Sequence, residues 1–306
     1  MKKWFYRSPS VHFTNFLRSY KTVLIHPIME PGREAFSLQA VESIVGCKGK
    51  TNVELLVNRK SEFFFKNIPS RKIVYEDFVS PLSSPYKDLR KALAGKKYDI
   101  YLEMNRFSDE MLTMFGVIAQ SKIHMCLDGS KENPIYNLVI TVDESYAEVD
   151  RNNAVLKALG VKKIKKKIGW KKGILQKKTY KKIGISIENS TFALSLFSIL
   201  KKGNHDPILF VTGAKRLEKM RKKIGNGVVP LYPLDNAYNV CLSCASLITS
   251  INPLLSFGFL QQKKTLLVLD QKKTFCPQED HSIEILAPEK ELKLIIKKIK
   301  DFVERK

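Results

Sequence analysis

The stretch TVLIHPIMEPGREAFSLQAVESI, residues 22–44, decides how the chain reads. Thr22 to His26 is a compact apolar run, the pattern of a strand covered on both faces. It gives way to PIMEPGRE, a loop with two prolines and a glycine. From Glu34 onward, Ala35, Leu38, Val41 and Val45 fall at helical spacing. Strand, glycine loop and helix in that order make the opening unit of a mostly parallel α/β sheet.

The alternation continues outward from this unit. VELLVN (Val53 to Asn58) predicts a second strand, Lys60 to Lys66 a short helix and RKIVYED (Arg71 to Asp77) a third strand. A helix is expected over Tyr86 to Leu93, a strand over Tyr98 to Met104, a helix over Glu110 to Gln120 and a strand in KIHMCL. The helix Asp150 to Leu159 stops at Gly160. The pattern restarts at KKIGISI, Lys181 to Ile187, and runs through strands at DPILFVTG, Gly227 to Leu231, ASLITSI, TLLVLD and SIEILA. Helices are predicted at Thr191 to Leu200, Lys215 to Ile224, Tyr238 to Cys244, Leu254 to Leu260 and Pro288 to Val303.

The chain has 306 residues, 44% of them hydrophobic, enough for two cores. Lys and Arg total 53 against 30 Asp and Glu, a net charge of +23 that attracts polyanions or an anionic membrane face. Arg151 through Ile187 carries no acidic residue and many lysines. It reads as a solvated linker, a contact for a membrane surface or lipid phosphate, or a nucleic-acid contact. Lysine dominates arginine, which argues against a specific reader of base edges. The N-terminus lacks an apolar segment long enough for a signal peptide or a span, so a cytoplasmic protein is expected, peripheral at most to the inner face of the membrane. Trp4, Phe5, Phe16 and Leu17 among Lys2, Lys3, Arg7 and Arg18 form either a short interfacial anchor or a segment folded onto the body.

Cys47, Cys126, Cys241, Cys244 and Cys276 do not form a disulfide framework in a chain this long. The CxxC of Cys241 and Cys244 lies inside the apolar run VCLSCASLI with no second pair nearby, so buried small hydrophobes are expected rather than a zinc site. His12, His26, His124, His205 and His281 are widely separated and have no carboxylate at ligand spacing, so no metal is expected. His26 ends the first strand, where it could face a ligand cleft. A nucleophile elbow and a Walker sequence are both absent.

The order of these pieces resembles the bacterial lipopolysaccharide heptosyltransferase family, glycosyltransferase family 9. Four segments carry the resemblance: residues 22–44; DRNNAVLKALGV at 150–161; ILFVTGAKRLEKM at 208–220; and ASLITSINPLLSFGFLQQKKTLLVLD at 245–270. It implies an α/β fold of two Rossmann-like domains facing across a cleft, GT-B-like. An acceptor-side domain would span residues 1–165 and a nucleotide-sugar-side domain residues 166–306. The last helix could pack back on the first domain.

The chain departs from the family at the loops. The family places an aspartate, the expected general base, directly after the glycine of the first loop, and here that position is Arg33. The family's later loop reads roughly Asp-Thr-Gly-Pro-Met-His, whereas this chain has Ser250, Ile251, Asn252, Pro253, Leu254 and Leu255. After KKIGISI, where the family has His-Pro-Gly-like residues, stand Glu188, Asn189, Ser190 and Thr191.

Inverting sugar transfer needs a base for the acceptor hydroxyl and donors for the leaving diphosphate. Glu30 or Glu34 would be the base and Arg33 an acceptor contact, or the three are a solvated ion-pairing loop. Ser190 and Thr191, with Glu188, would touch phosphate or cap the next helix. Ser250 and Asn252 would bond phosphate or ribose, or simply turn the chain into a helix. Gly213 would mark a strand-to-helix turn at the donor, and Glu218 a ribose contact or an exposed helix glutamate.

The resemblance implies a metal-independent transferase of cell-envelope saccharide biosynthesis. It has no tightly bound cofactor, a nucleotide sugar (ADP-linked among the options) as substrate, and a lipid-linked or phosphorylated saccharide as acceptor. The alternative is a catalytically degenerate protein of the same fold with a binding or assembly role. A third reading, a basic nucleic-acid-binding protein, finds no zinc-finger spacing or RNA-binding strand motif in the chain.

Overall fold

The structure is a computed structural model. It describes residues 19–47, 51–77, 82–105, 115, 117–127, 135–142, 146–161, 182–269, 283–286 and 292–304. The N-terminal aromatic and basic segment, most of the lysine-rich stretch, His12, His281 and Cys276 lie outside these residues, as does most of the helix expected at Glu110 to Gln120.

The chain divides into two compact units, one of Met1–Glu30 with Phe36–Gly169 and one of Pro31–Ala35 with Trp170–Lys306. The first unit is built on β1 (Thr22–His26), β2 (Asn52–Asn58), β3 (Arg71–Tyr75), β4 (Ile100–Glu103), β5 (Ile123–Leu127) and β6 (Leu138–Ile140). Its helices include α1 (Glu34–Val45), α2 (Glu62–Phe65), α3 (Ser84–Leu93) and α4 (Glu148–Ala158). The second unit carries β7 (Lys182–Ser186), α5 (Ser190–Lys202), β8 (Asp206–Val211), α6 (Ala214–Ile224), β9 (Val228–Pro230), α7 (Leu234–Leu242) and β10 (Ser246–Thr249). It continues with α8 (Pro253–Gln261), β11 (Lys264–Val268), β12 (Ile283–Leu286) and α9 (Leu292–Glu304).

The described strands form two six-stranded sheets, ordered β3-β2-β1-β4-β5-β6 and β12-β11-β10-β7-β8-β9, and every pairing is parallel. Numbered from its own first strand, the second sheet has the same order as the first. That is the doubly wound Rossmann order, in which the chain reverses its direction of winding between the first and fourth strands. Parallel strands are covered on both faces, which is why β1, β4, β5 and β10 bury nearly every side chain rather than every second one.

Each unit buries its own core. In the first, Leu24, Leu56, Tyr101, Leu89 and Cys126 pack together. In the second, Ile185, Leu196, Leu209, Met220 and Ile248 do so, and Ile299 and Phe302 of α9 join them. The opposite face of α9 exposes Lys297, Lys298 and Lys300. Gly184, inside β7, is required by packing, because a methyl there would lie 2.7 Å from Leu247 Cδ2.

Two elements differ from the sequence expectation. β6 is a three-residue strand of half-buried side chains, too short to produce a pattern. α7 begins at Leu234, four residues before the expected start, because Pro233 supplies an extended residue just ahead of the first turn.

Candidate functional site

In a doubly wound sheet, ligands gather beyond the strand ends where the winding reverses. In the first unit that point lies between β1 and β4, whose terminal residues His26 and Glu103 are register partners. Both side chains are fully buried, so His26 does not present an open face to a ligand. His26 Nδ1 lies 2.8 Å from Glu103 Oε2, and Nε2 lies 2.9 Å from the Tyr75 hydroxyl. Burial, then the Glu103 charge, pushes the Tyr75 phenol well above its ordinary range, so it keeps its proton. His26 is thus held at both ring nitrogens, by a carboxylate oxygen at Nδ1 and by a protonated phenol at Nε2.

Glu103 is the hub of this cluster. Its Oε2 also accepts from the Tyr101 hydroxyl at 2.6 Å. Its Oε1 accepts from the Asn105 backbone N–H at 2.9 Å and from Asn105 Nδ2 at 2.6 Å. Asn105 then reaches the loop after β1: Nδ2 donates to the Pro27 carbonyl at 3.0 Å, and Oδ1 accepts from the Met29 N–H at 2.8 Å. These bonds lead to Glu30, whose side chain is half-buried.

The second unit repeats the arrangement with different groups. Its reversal falls between β7 and β10, and Asn252 follows β10. Asn252 Nδ2 donates to the Ser186 carbonyl at 3.0 Å and to Ser250 Oγ at 3.1 Å. Its Oδ1 accepts from the Leu254 N–H at 3.0 Å, capping α8, and from Thr249 Oγ1 at 3.1 Å. Both protons and both lone pairs of the amide are thus used within the turn. The Leu255 N–H is bonded to the Asn252 carbonyl, and Pro253 has no N–H to offer.

Pro31–Ala35 belongs to this second unit. Gly32, at φ +88°, packs so closely that a methyl on it would lie 2.5 Å from both the backbone N and O of Asn252. Glu34, 2% exposed, accepts at Oε2 from the Gly32 N–H at 2.7 Å and from Ser256 Oγ at 3.0 Å. The Ala35 N–H donates to the same Ser256 oxygen at 3.4 Å. Arg33 is 7% exposed. Glu34 and Asn252 both hold the loops on which they sit.

The remaining candidates follow strands β7 and β8. Glu188 is exposed, and α5 is capped by Asn189, whose Oδ1 accepts from Thr191 N and Phe192 N at 3.1 and 3.0 Å. The cap is therefore Asn189 rather than Ser190 or Thr191, which open the helix. Gly213, at φ +84°, precedes α6 with open space where a side chain would stand, and with no Cβ it brings no side-chain cap to that helix start. Arg216 in the first turn of α6 donates to the Ile187 carbonyl at 2.6 Å, tying the β8 loop to the β7 loop. Glu218 is exposed and pairs with Lys222 at 2.9 Å, a solvated pair of little energetic weight.

Sequence reasoning did not single out Glu103, Tyr75, Asn105 or Ser256. Glu103 and Tyr75 close apolar strands, and Ser256 lies in an apolar helix, so each reads as a core position. The one available signal was a charged residue at the C-terminal end of a buried strand. Among the described residues there is no group of three or more His, Cys, Asp or Glu placed to hold a metal ion. Nor is any helix there long and apolar enough to cross a membrane.

No family model matches the chain. No curated protein matches it either. Solved structures do. The glycosyl transferase family 9 protein from Veillonella parvula is similar at TM-score 0.68 and 15% identity, over 92% of this chain and 90% of that one. E. coli ADP-heptose LPS heptosyltransferase II matches at TM-score 0.65 and 12% identity, over 92% and 98%. E. coli heptosyltransferase WaaC, solved with ADP and with ADP-2-deoxy-2-fluoro heptose, matches at TM-score 0.67 and 14% identity, over 92% and 99%. With two parallel sheets of Rossmann order along nearly its whole length, this chain has the GT-B-like α/β fold of those glycosyltransferases.

Proposed function

We propose that the protein transfers a sugar from a nucleotide sugar to a saccharide acceptor of the cell envelope, with inversion and without a metal ion. The observation that carries this reading is the likeness to WaaC, solved with ADP, over 92% of this chain and 99% of that one. In the reaction the acceptor hydroxyl oxygen bonds to the anomeric carbon while the bond to the diphosphate breaks. A carboxylate takes the hydroxyl proton, and the nucleoside diphosphate leaves.

Glu30 is the better base of the two carboxylates, since Oε2 of Glu34 is already held by Gly32 and Ser256. Arg33 would contact an anionic acceptor. On the donor side, Gly213, Glu188, Ser190, Thr191 and Glu218 would surround the nucleotide. Ser250 and Asn252 would act through the main chain they hold rather than through the Asn252 amide. The first unit would be the acceptor side and the second the nucleotide-sugar side. An ADP-linked donor, a lipid-linked or phosphorylated acceptor and work at the inner membrane face complete the reading.

A panel of ADP- and UDP-linked sugars tests it by thermal shift and by release of nucleoside diphosphate. At least one donor should raise the melting temperature. Glu30→Gln should keep that shift while turnover falls by about a hundredfold, as expected when a general base is removed. If no nucleotide sugar or nucleoside diphosphate shifts the protein, the transferase reading is lost.

The second reading, a binding or assembly component of the same fold, is favoured by the commitment of Glu34 and Asn252 to internal bonds. Nucleotide binding with no turnover toward any acceptor would select it.

A further inference from the structure

We infer that Glu103 and Asn105 are positioning residues for the loop Pro27–Glu30, fixing where the Glu30 carboxylate stands. This rests on the transferase reading only in what Glu30 is taken to do; the positioning itself is independent of it.

The argument begins with cost. A fully buried carboxylate is unfavourable unless it is hydrogen-bonded on every side, and a hydrophobic residue would fill the same place more cheaply. Glu103 meets the condition with bonds from His26, Tyr101, the Asn105 N–H and Asn105 Nδ2. Two of those four bonds come from one residue, and that residue is the one that grips the loop. The amide of Asn105 cannot rotate to solvent without breaking its bond to Oε1, so its orientation is set by the glutamate. With that orientation set, Nδ2 faces the Pro27 carbonyl and Oδ1 faces the Met29 N–H, one bond on each side of Ile28.

Two further groups touch the same loop: Ser61 Oγ lies 3.4 Å from the Met29 carbonyl, and the Met29 sulfur accepts from the Asn58 N–H at 3.3 Å. The path from His26 through Glu103 to Asn105 is the one that brackets Ile28, with a main-chain bond on each side of it. A network serving only to hold the sheet would connect strands β1 and β4, which the ladder already pairs from Val23 to His26. This one extends past the strand ends to the first residues of the loop.

Hydrogen exchange on the intact protein tests the claim through Asn105→Ala. Amides of Ile28, Met29 and Glu30 should exchange roughly tenfold faster, the expected effect of losing about one buried hydrogen bond. Amides in β1 and β4 should keep their protection. Unchanged exchange in the loop overturns the proposal, and so does acceleration spread evenly over β1 and β4, which would mark a general core role. Should Asn105→Ala fail to fold, Glu103→Gln preserves shape and is read by the same criteria.

Where an ADP-linked sugar is turned over, Asn105→Ala should lower kcat by about tenfold or more with KM for the nucleotide sugar little changed, as a displaced catalytic group requires. A rise in KM alone would overturn the positioning of Glu30. If the wild-type protein turns over no nucleotide sugar, the proposed function fails, while the exchange experiment still decides this inference.

Discussion

Asn252 is where single-residue chemistry has the largest leverage. Asn252→Ala removes the cap of α8 together with two donor contacts, and should cost about 2–3 kcal/mol on the usual values for caps and buried bonds. The urea midpoint reads this directly, and a loss below about 0.5 kcal/mol would show that the turn holds itself. His124 gives a pH dependence of known sign. Burial, opposed by its bond to the Ser121 carbonyl, pushes its imidazole down from 6.5 to about 4. Between those values the unfolded chain binds the extra proton, so stability rises with pH across that window and is fully present above it. The amount is about 3 kcal/mol, since each tenfold loss of proton affinity on folding is worth roughly 1.4 kcal/mol. Measured from pH 4 to pH 7.5, His124→Gln should lose that component of the wild-type slope; parallel profiles would refute the assignment.

At the scale of elements, α8 lies so close to β11 that its Gly258 has no room for a side chain. A methyl there would meet Thr265 Oγ1 at 2.5 Å, and that hydroxyl is bonded to the Lys263 carbonyl. Gly258→Ala gains about 1 kcal/mol of helix propensity but overpacks a tight contact, for a net loss of about 1–2 kcal/mol. Adding Thr265→Ala should recover most of the loss, and a double variant no more stable than the single one would place the strain elsewhere.

Element type was largely legible in the sequence because parallel strands are short apolar runs between glycine, proline and amphipathic segments. β6 was not, since three half-buried residues carry no period. The start of α7 was missed because Pro233, Asp235 and Asn236 read locally as a turn. The loop residues Glu34 and Asn252 were named as candidates from the sequence, but their bonding was not legible there. Ser256 is 222 positions from Glu34 in the chain, and no local pattern reports a contact at that separation.

For the whole molecule, the net charge of +23 predicts attraction to anionic surfaces. The protein should co-sediment with phosphatidylserine vesicles at low ionic strength and release near about 0.5 M salt, where screening falls to a few ångströms. Retention at high salt, or equal binding to neutral vesicles, would contradict an electrostatic origin.

The two sheets share one further property. In each, an asparagine just past the fourth strand hydrogen-bonds to a carbonyl at the end of the first, Asn105 to Pro27 and Asn252 to Ser186. These amides act as hinge pins, keeping two strand ends in step whatever the residues between them become. The side chains of the residues between them are not needed for these two bonds. Changing either asparagine should therefore unfasten a strand end, whereas changing the residues between the pins need not.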